Sequence, residues 1–188
     1  MGDGVPIETE TKFRLGDRAA FEARLAALGA TPAPVDAEVN VLYDRPDGAL
    51  QRRACALRIR TIGARGILTF KGPAQVVSGV KSRKELETGV DTPERLAELL
   101  GELGYLPRFR YEKRRTTWRF PDAARPLVVV DETPIGLFAE VEGEDAGVRA
   151  LCAELSVPEG DWIAESYVTL YRKEQAADPS LPPDMVFR

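Results

Sequence analysis

Charged and apolar side chains alternate along one short segment after another of this chain, and in most of these segments the charges keep a single parity. In "IETETKFRL", an extended strand places Glu8, Glu10, Lys12 and Arg14 on one face and Ile7, Phe13 and Leu15 on the other, because successive side chains of a strand point to opposite sides. Arg58 and Arg60 alternate with Leu57 and Ile59, and Thr69 and Lys71 with Leu68 and Phe70. Arg83, Glu85 and Glu87 share one face opposite Leu86, Glu140 and Glu142 alternate with Ala139 and Val141, and Asp131 ends the apolar run "LVVVD". The stretch "YEKRRTTWRF" is less regular, with Lys113, Arg115 and Arg119 on one parity and Glu112 and Arg114 on the other. A helix, with its period of 3.6, would scatter such charges around its axis. A period of two confines the chain to a sheet with one polar and one apolar face.

About eight strands follow from this pattern. The others are "VDAEVNVLYD" (35–44), closed by the turn residues "RPDG", a hairpin of 54–62 and 66–72 around "GARG", and strands over 82–90, 108–120, 125–133 and 136–143. Four helices interrupt or follow them. "DRAAFEARLAALGA" spaces Phe21, Leu25 and Leu28 along one face, with Asp17 as N-cap and Gly29 at the end. "TPERLAELLGELGY" begins with Thr92 as cap and Pro93 at the first helical position. "DAGVRALCAEL" and "AESYVTLYRKE" are the last two. The segment "PAQVVSGVK" reads as looser chain, and residues 176–188, with "DPSLPPD", as a flexible tail. The expected architecture is a single α+β domain over residues 1–175, dominated by antiparallel pairing. Eight such strands can close into a barrel whose inside and outside alternate along each strand.

Composition narrows the chemistry. Histidine is absent from the 188 residues, which excludes histidine bases, imidazole ligands and histidine triads. Cys55 and Cys152 form no CxxC and read as small buried residues. A net charge of −4 gives no broad positive field for nucleic acid. No run of about 18 apolar residues suggests a membrane span, and the opening "MGDGVPIETE" lacks the basic and apolar regions of a signal peptide. The expected location is the cytoplasm.

Gathered on one surface, the alternating positions set Glu8, Glu10, Glu85, Glu87, Asp131, Glu140 and Glu142 against Lys12, Arg58, Arg60, Lys71, Arg83, Lys113 and Arg115. A solvated sheet face is the ordinary reading of one such strand. The recurrence over many strands favours a partner of both characters. A metal-bound polyphosphate is one, since hard divalent cations take carboxylate oxygens and guanidinium forks take phosphate oxygens.

The residues also resemble a known family. "ETETK" (Glu8–Lys12) is similar to the ExExK signature of the CYTH superfamily, the triphosphate tunnel metalloenzymes, which include class IV adenylyl cyclases and thiamine triphosphatases. "LRIR", "TFKGP", "SRKELE", "YEKRR", "VVVDETPIGLFAEVEG" and "ESYVTL" follow in the family's order over roughly residues 7–171. The resemblance implies an eight-stranded antiparallel β tunnel with helices outside, acting on triphosphate compounds with Mg²⁺ or Mn²⁺, as a monomer or homodimer. It implies metal binding by Glu8, Glu10, Glu140 and Glu142, with Asp131, Glu85 and Glu87 nearby, and phosphate binding by the seven bases. Lys71 and Tyr43 match the positions linked to water activation in the hydrolytic branch. The leading expectation is hydrolysis of tripolyphosphate or a nucleoside triphosphate. Cyclisation of ATP to cyclic AMP and pyrophosphate is the second, and a non-catalytic polyphosphate or nucleotide sensor the third. Thiamine triphosphatases carry a tryptophan just before the LR stretch; Ala56 stands here, and Trp118 and Trp162 read as packing residues.

Overall fold

A computed structural model describes residues 7–188. In chain order its elements are β1 (Ile7–Arg14), α1 (Arg18–Ala27), β2 (Thr31–Pro32), β3 (Asp36–Asp44), α2 (Ala49–Arg52), β4 (Ala56–Ile62), β5 (Arg65–Val77) and β6 (Val80–Val90). They continue with α3 (Pro93–Glu102), β7 (Leu106–Arg119), β8 (Leu127–Thr133), β9 (Gly136–Glu142), α4 (Asp145–Glu154), a 3₁₀ turn (Glu159–Asp161) and α5 (Tyr167–Ala177). Eight strands pair antiparallel in the order β7-β3-β4-β5-β6-β1-β9-β8, and β8 returns to β7. The sheet is thus the closed eight-stranded barrel of an α+β fold, with β2 as an extra rung on β7.

Closure decides which face the charges take. Glu10 lies opposite Lys81 on one side and Glu142 on the other; Arg58 lies opposite Leu42 and Thr69; Arg115 lies opposite Asp36 and Asp131. The opposite parity faces outward and is covered by helices. Phe13, Val128, Val130 and Val141 pack with Phe21 and Leu25 of α1 and Val148 and Leu151 of α4. Burying each such side chain contributes about 1.5–3 kcal/mol. Asp17 caps α1 by accepting from the Ala20 amide at 3.0 Å, as its sequence position suggests. Thr92 occupies the cap position of α3 but makes no side-chain capping bond; Pro93 alone carries that start signal.

Two segments differ from the sequence reading. "PAQVVSGVK" is no loose linker: β5 runs on to Val77 and turns into β6 through Ser78 and Gly79, both at positive φ. Two such residues make the primed turn that matches strand twist. Residues beyond α5 are not free either. β8 pairs with β7 only over Arg114–Trp118, so the earlier half of β7 has no strand on that side. The C-terminal segment lies there, with Met185 bridged in parallel to Tyr111. The Met185 amide donates to Arg110 O at 3.0 Å, and the Glu112 amide donates to Met185 O at 2.9 Å. Met185 is fully buried with Phe109, Tyr111, Phe138, Tyr167 and Tyr171. An open half-strand with unpaired backbone groups explains the docking.

Candidate active site

The barrel interior is a cavity of about 1620 Å³. Among the described residues its wall carries the acids Glu8, Glu10, Glu38, Glu85, Glu87, Asp131, Glu140 and Glu142. Against them stand the bases Lys12, Arg58, Arg60, Lys71, Lys81, Arg83, Lys113 and Arg115. These are eight of each sign; Asp131 lies behind the lining, and Asp36, Asp44, Asp47, Asp91, Arg65, Arg108, Arg119 and Arg172 also border the cavity.

The acids divide into two kinds. Glu8, Glu10 and Glu142 bring carboxylate oxygens within 4.8 Å of one another, because Glu10 and Glu142 are register partners and Glu8 lies two residues away on the same face. Burial pushes Glu142 up to about 7 against the pull of Arg115, and the charges of Glu140, Glu10 and Glu8 add to the rise. Three crowded carboxylates with hard oxygen donors fit a divalent ion such as Mg²⁺ or Mn²⁺. Glu85 borders this group. Burial, then its hydrogen bond with Glu8, pushes it up to about 7. Burial acts on Glu8 in the same sense, but the bond to Glu85 and the charges of Lys71 and Arg83 outweigh it and bring Glu8 down to about 2.

The other predicted metal acids are ion-paired to bases, as Glu8, Glu10 and Glu142 also are with Lys71, Lys81, Arg83 and Arg115. Glu140 accepts from Lys12 at 3.1 Å and Arg115 at 2.5 Å. Burial pushes its carboxyl up, yet Lys12 and Arg115 hold it well below the usual range. Glu87 bridges Arg58 at 3.3 Å and Arg60 at 3.0 Å and accepts from Thr69 at 2.6 Å. Asp131, with no exposure, is held by Lys113 at 3.1 Å, Arg115 at 2.6 Å and the Tyr167 hydroxyl at 2.9 Å. None of these three belongs to the Glu8, Glu10, Glu142 cluster.

All seven predicted phosphate-binding residues reach the cavity. In three of them, Arg58, Arg60 and Arg83, the Nε–H is buried and without a partner. Buried donors are nearly always satisfied, so three such groups in one wall are unusual; Arg83 Nε lies 3.9 Å from both Glu8 and Glu85. Lys71 lies 3.3 Å from Glu8 and 2.5 Å from Glu85. Burial, reinforced by Arg58 and Arg83, lowers its amine below the ordinary lysine value.

Tyr43 is placed differently from its predicted role. It borders the cavity, but it is 8% exposed and packs with Ile59 and Leu100 beneath α3. That is the strand face opposite Glu38 and Asn40. Tyr111 is the tunnel tyrosine of the strands, accepting from Arg58 Nη1 at 3.1 Å. Glu38, Lys81, Tyr111 and Tyr167 escaped the sequence reading. Glu38 alternates with Val39, and Tyr111 shares the parity of Lys113, so the signal was present for both. Lys81 shares the parity of Arg83 but fell in the segment read as loose. Tyr167 comes from a helix, and no strand periodicity could place it. Trp118 sits in the outer core and Trp162 packs against it.

The sequence matches the CYTH domain family over residues 6–153, and the chain belongs to that family. A search of curated proteins finds no match. Among solved structures, a proposed adenylate cyclase from Vibrio parahaemolyticus is similar with a TM-score of 0.76 at 18% identity, covering 90% of this chain and 99% of that one. The PH1819 protein of Pyrococcus horikoshii gives 0.73 at 22%, covering 89% and 99%. A proposed adenylyl cyclase from Hippeastrum, described as having dominant triphosphatase activity, gives 0.69 at 19%, covering 95% and 99%. At these identities the likeness is one of fold. Members of the family are enzymes, triphosphatases or cyclases. No described helix is long and apolar enough to cross a membrane.

Proposed function

We propose that this chain hydrolyses a triphosphate compound, inorganic tripolyphosphate or a nucleoside triphosphate, with a divalent ion held by Glu8, Glu10 and Glu142. The observation that carries this reading is the carboxylate cluster of Glu8, Glu10 and Glu142 standing beside the seven predicted lysines and arginines that line the cavity. Phosphate oxygens would accept from Arg58, Arg60 and Arg83. The polyanion would enter with a divalent cation, for which the carboxylate cluster beside the arginines has the donors. When bound, Mg²⁺ or Mn²⁺ would neutralise phosphate charge and lower the pKa of a coordinated water.

The chain's own residues do the rest. Arg58, Arg60, Arg83, Lys113 and Arg115 hold the phosphate chain and stabilise charge as it moves to the leaving group. Lys71, beside Glu8 and Glu85, is the group that would take the proton from the attacking water, passing its own to a neighbouring carboxylate first. An oxygen–phosphorus bond forms at the terminal phosphate as the bridging bond breaks, releasing orthophosphate. The triphosphatase activity described for the Hippeastrum protein supports hydrolysis over cyclisation.

Incubation with tripolyphosphate, ATP and thiamine triphosphate, each with Mn²⁺, tests the reading, orthophosphate being the expected product. Cyclic AMP with pyrophosphate from ATP would assign cyclisation instead, and tight binding without turnover a sensor. Glu8→Gln should abolish metal-dependent turnover. Lys71→Ala should lower kcat by about 10²-fold or more while changing substrate affinity less; the reverse split would remove Lys71 from water activation.

A further inference from the structure

Neither phosphate binding nor water activation accounts for the hydroxyl of Tyr111. The side chain is 7% exposed and accepts from Arg58 Nη1 at 3.1 Å. Arg58 Nη2 donates to Thr69 Oγ1 at 3.2 Å and to Glu87 at 3.3 Å. Those two partners come from β5 and β6, and both engage the same nitrogen. Tyr111, from β7, is the contact that holds the other nitrogen, so it fixes the rotation of the guanidinium plane. Nη2 then has both N–H groups engaged, and the donor that the Tyr111 bond can aim at an anion is the second N–H of Nη1; Nε–H is also unpartnered but fully buried.

Tyr111 is itself held from outside the barrel. No strand pairs with β7 beside it on the β8 side; Met185 bridges it there, and the neighbouring Arg110 and Glu112 exchange both backbone bonds with Met185. The Tyr171 hydroxyl fixes this strap by donating to Pro182 O at 2.9 Å and Asp184 O at 3.1 Å. The strap lies beyond residues 6–153, the part matched to the family.

We infer that Tyr111 is a positioning residue that sets the Arg58 guanidinium for a substrate phosphate, and that the C-terminal strap, through Met185, sets Tyr111. The inference rests on the triphosphate reading above. Calorimetric titration of the full chain with imidotriphosphate, which resists hydrolysis, in the presence of Mn²⁺ tests it. Tyr111→Phe removes only the hydroxyl and should weaken binding about tenfold, the scale of a hydrogen bond to a charged group, with a melting temperature near that of the unaltered chain. Met185→Ala should weaken binding part of the way, and Met185→Leu should restore it. The double variant should bind no more weakly than Tyr111→Phe alone, since both changes act through one contact. Unchanged binding by Tyr111→Phe, or losses that add in the double variant, would overturn the inference. Should Met185→Ala fail to fold, Met185→Val takes its place in the cycle. If the unaltered chain does not bind imidotriphosphate, the triphosphate reading fails and this inference with it; binding that is indifferent to Tyr111 removes the inference alone.

Discussion

Asp131 has three hydrogen-bonding partners in a site closed to solvent: Lys113, Arg115 and the Tyr167 hydroxyl. Removing one side of a buried pair costs about 3–5 kcal/mol, an upper bound here because Lys113 keeps Glu38 and Arg115 keeps Glu140. Asp131→Asn should lose stability up to that scale in urea unfolding; a loss under 1 kcal/mol would show that water reaches Lys113 and Arg115. Glu38 supplies a pH test. Burial pushes its carboxyl up, but Lys113, Arg115 and Arg60 outweigh this and bring it down to about 2. A group depressed on folding stabilises above its unfolded value, near 4.3, and that contribution disappears as pH falls towards 2. The scale is about 3 kcal/mol. Stability of the unaltered chain should therefore fall between about pH 4 and pH 2, and Glu38→Gln should flatten that limb; identical acid limbs in the two proteins would refute the assignment.

Strand parity was legible because it depends on one local rule, the alternation of side chains, and closure then turned most charged faces inward, Arg110, Glu112, Arg114 and Glu132 staying outside. The same rule failed where its input was interrupted. Reading 73–81 as loose hid Lys81, although its "SG" pair is a turn signal for the hairpin that follows. Gly79 at φ +78° has Trp162 side-chain atoms 3.1 Å from where a Cβ would stand. Gly79→Ala adds both strain and a clash, so it should destabilise by at least about 1 kcal/mol and alter the fluorescence of Trp162. Unchanged melting would mean that the hairpin tip can move off Trp162.

At the scale of the whole molecule, the barrel and its helices were readable, and what the last helix and the C-terminal segment contact was not. Tyr167 reaches the cavity from a helix and Met185 docks on β7 from an irregular segment, where no strand period links sequence to facing direction. Tyr43 shows a second case: a family position suggested a role, and the residue borders the cavity while packing beneath α3. Charge balance is a property of the assembled wall alone, and it too can be tested. In thermal unfolding, Mn²⁺ or tripolyphosphate given singly should each raise the midpoint less than the two together, beyond the sum of the separate shifts. Additive shifts would contradict coupled entry.

A wall of matched acids and bases behaves as an ion exchanger already loaded with its own ions. On the triphosphate reading, substrate would not enter an empty positive pore; it would trade places with resident carboxylates for the same guanidinium groups, while a cation would trade places with resident ammonium groups for the same carboxylates. Selectivity in such a device lies in stoichiometry more than in shape. A lone anion or a lone cation leaves the exchange half done, with a surplus of one sign sealed inside the barrel, and only a ligand that brings both signs in proportion completes it.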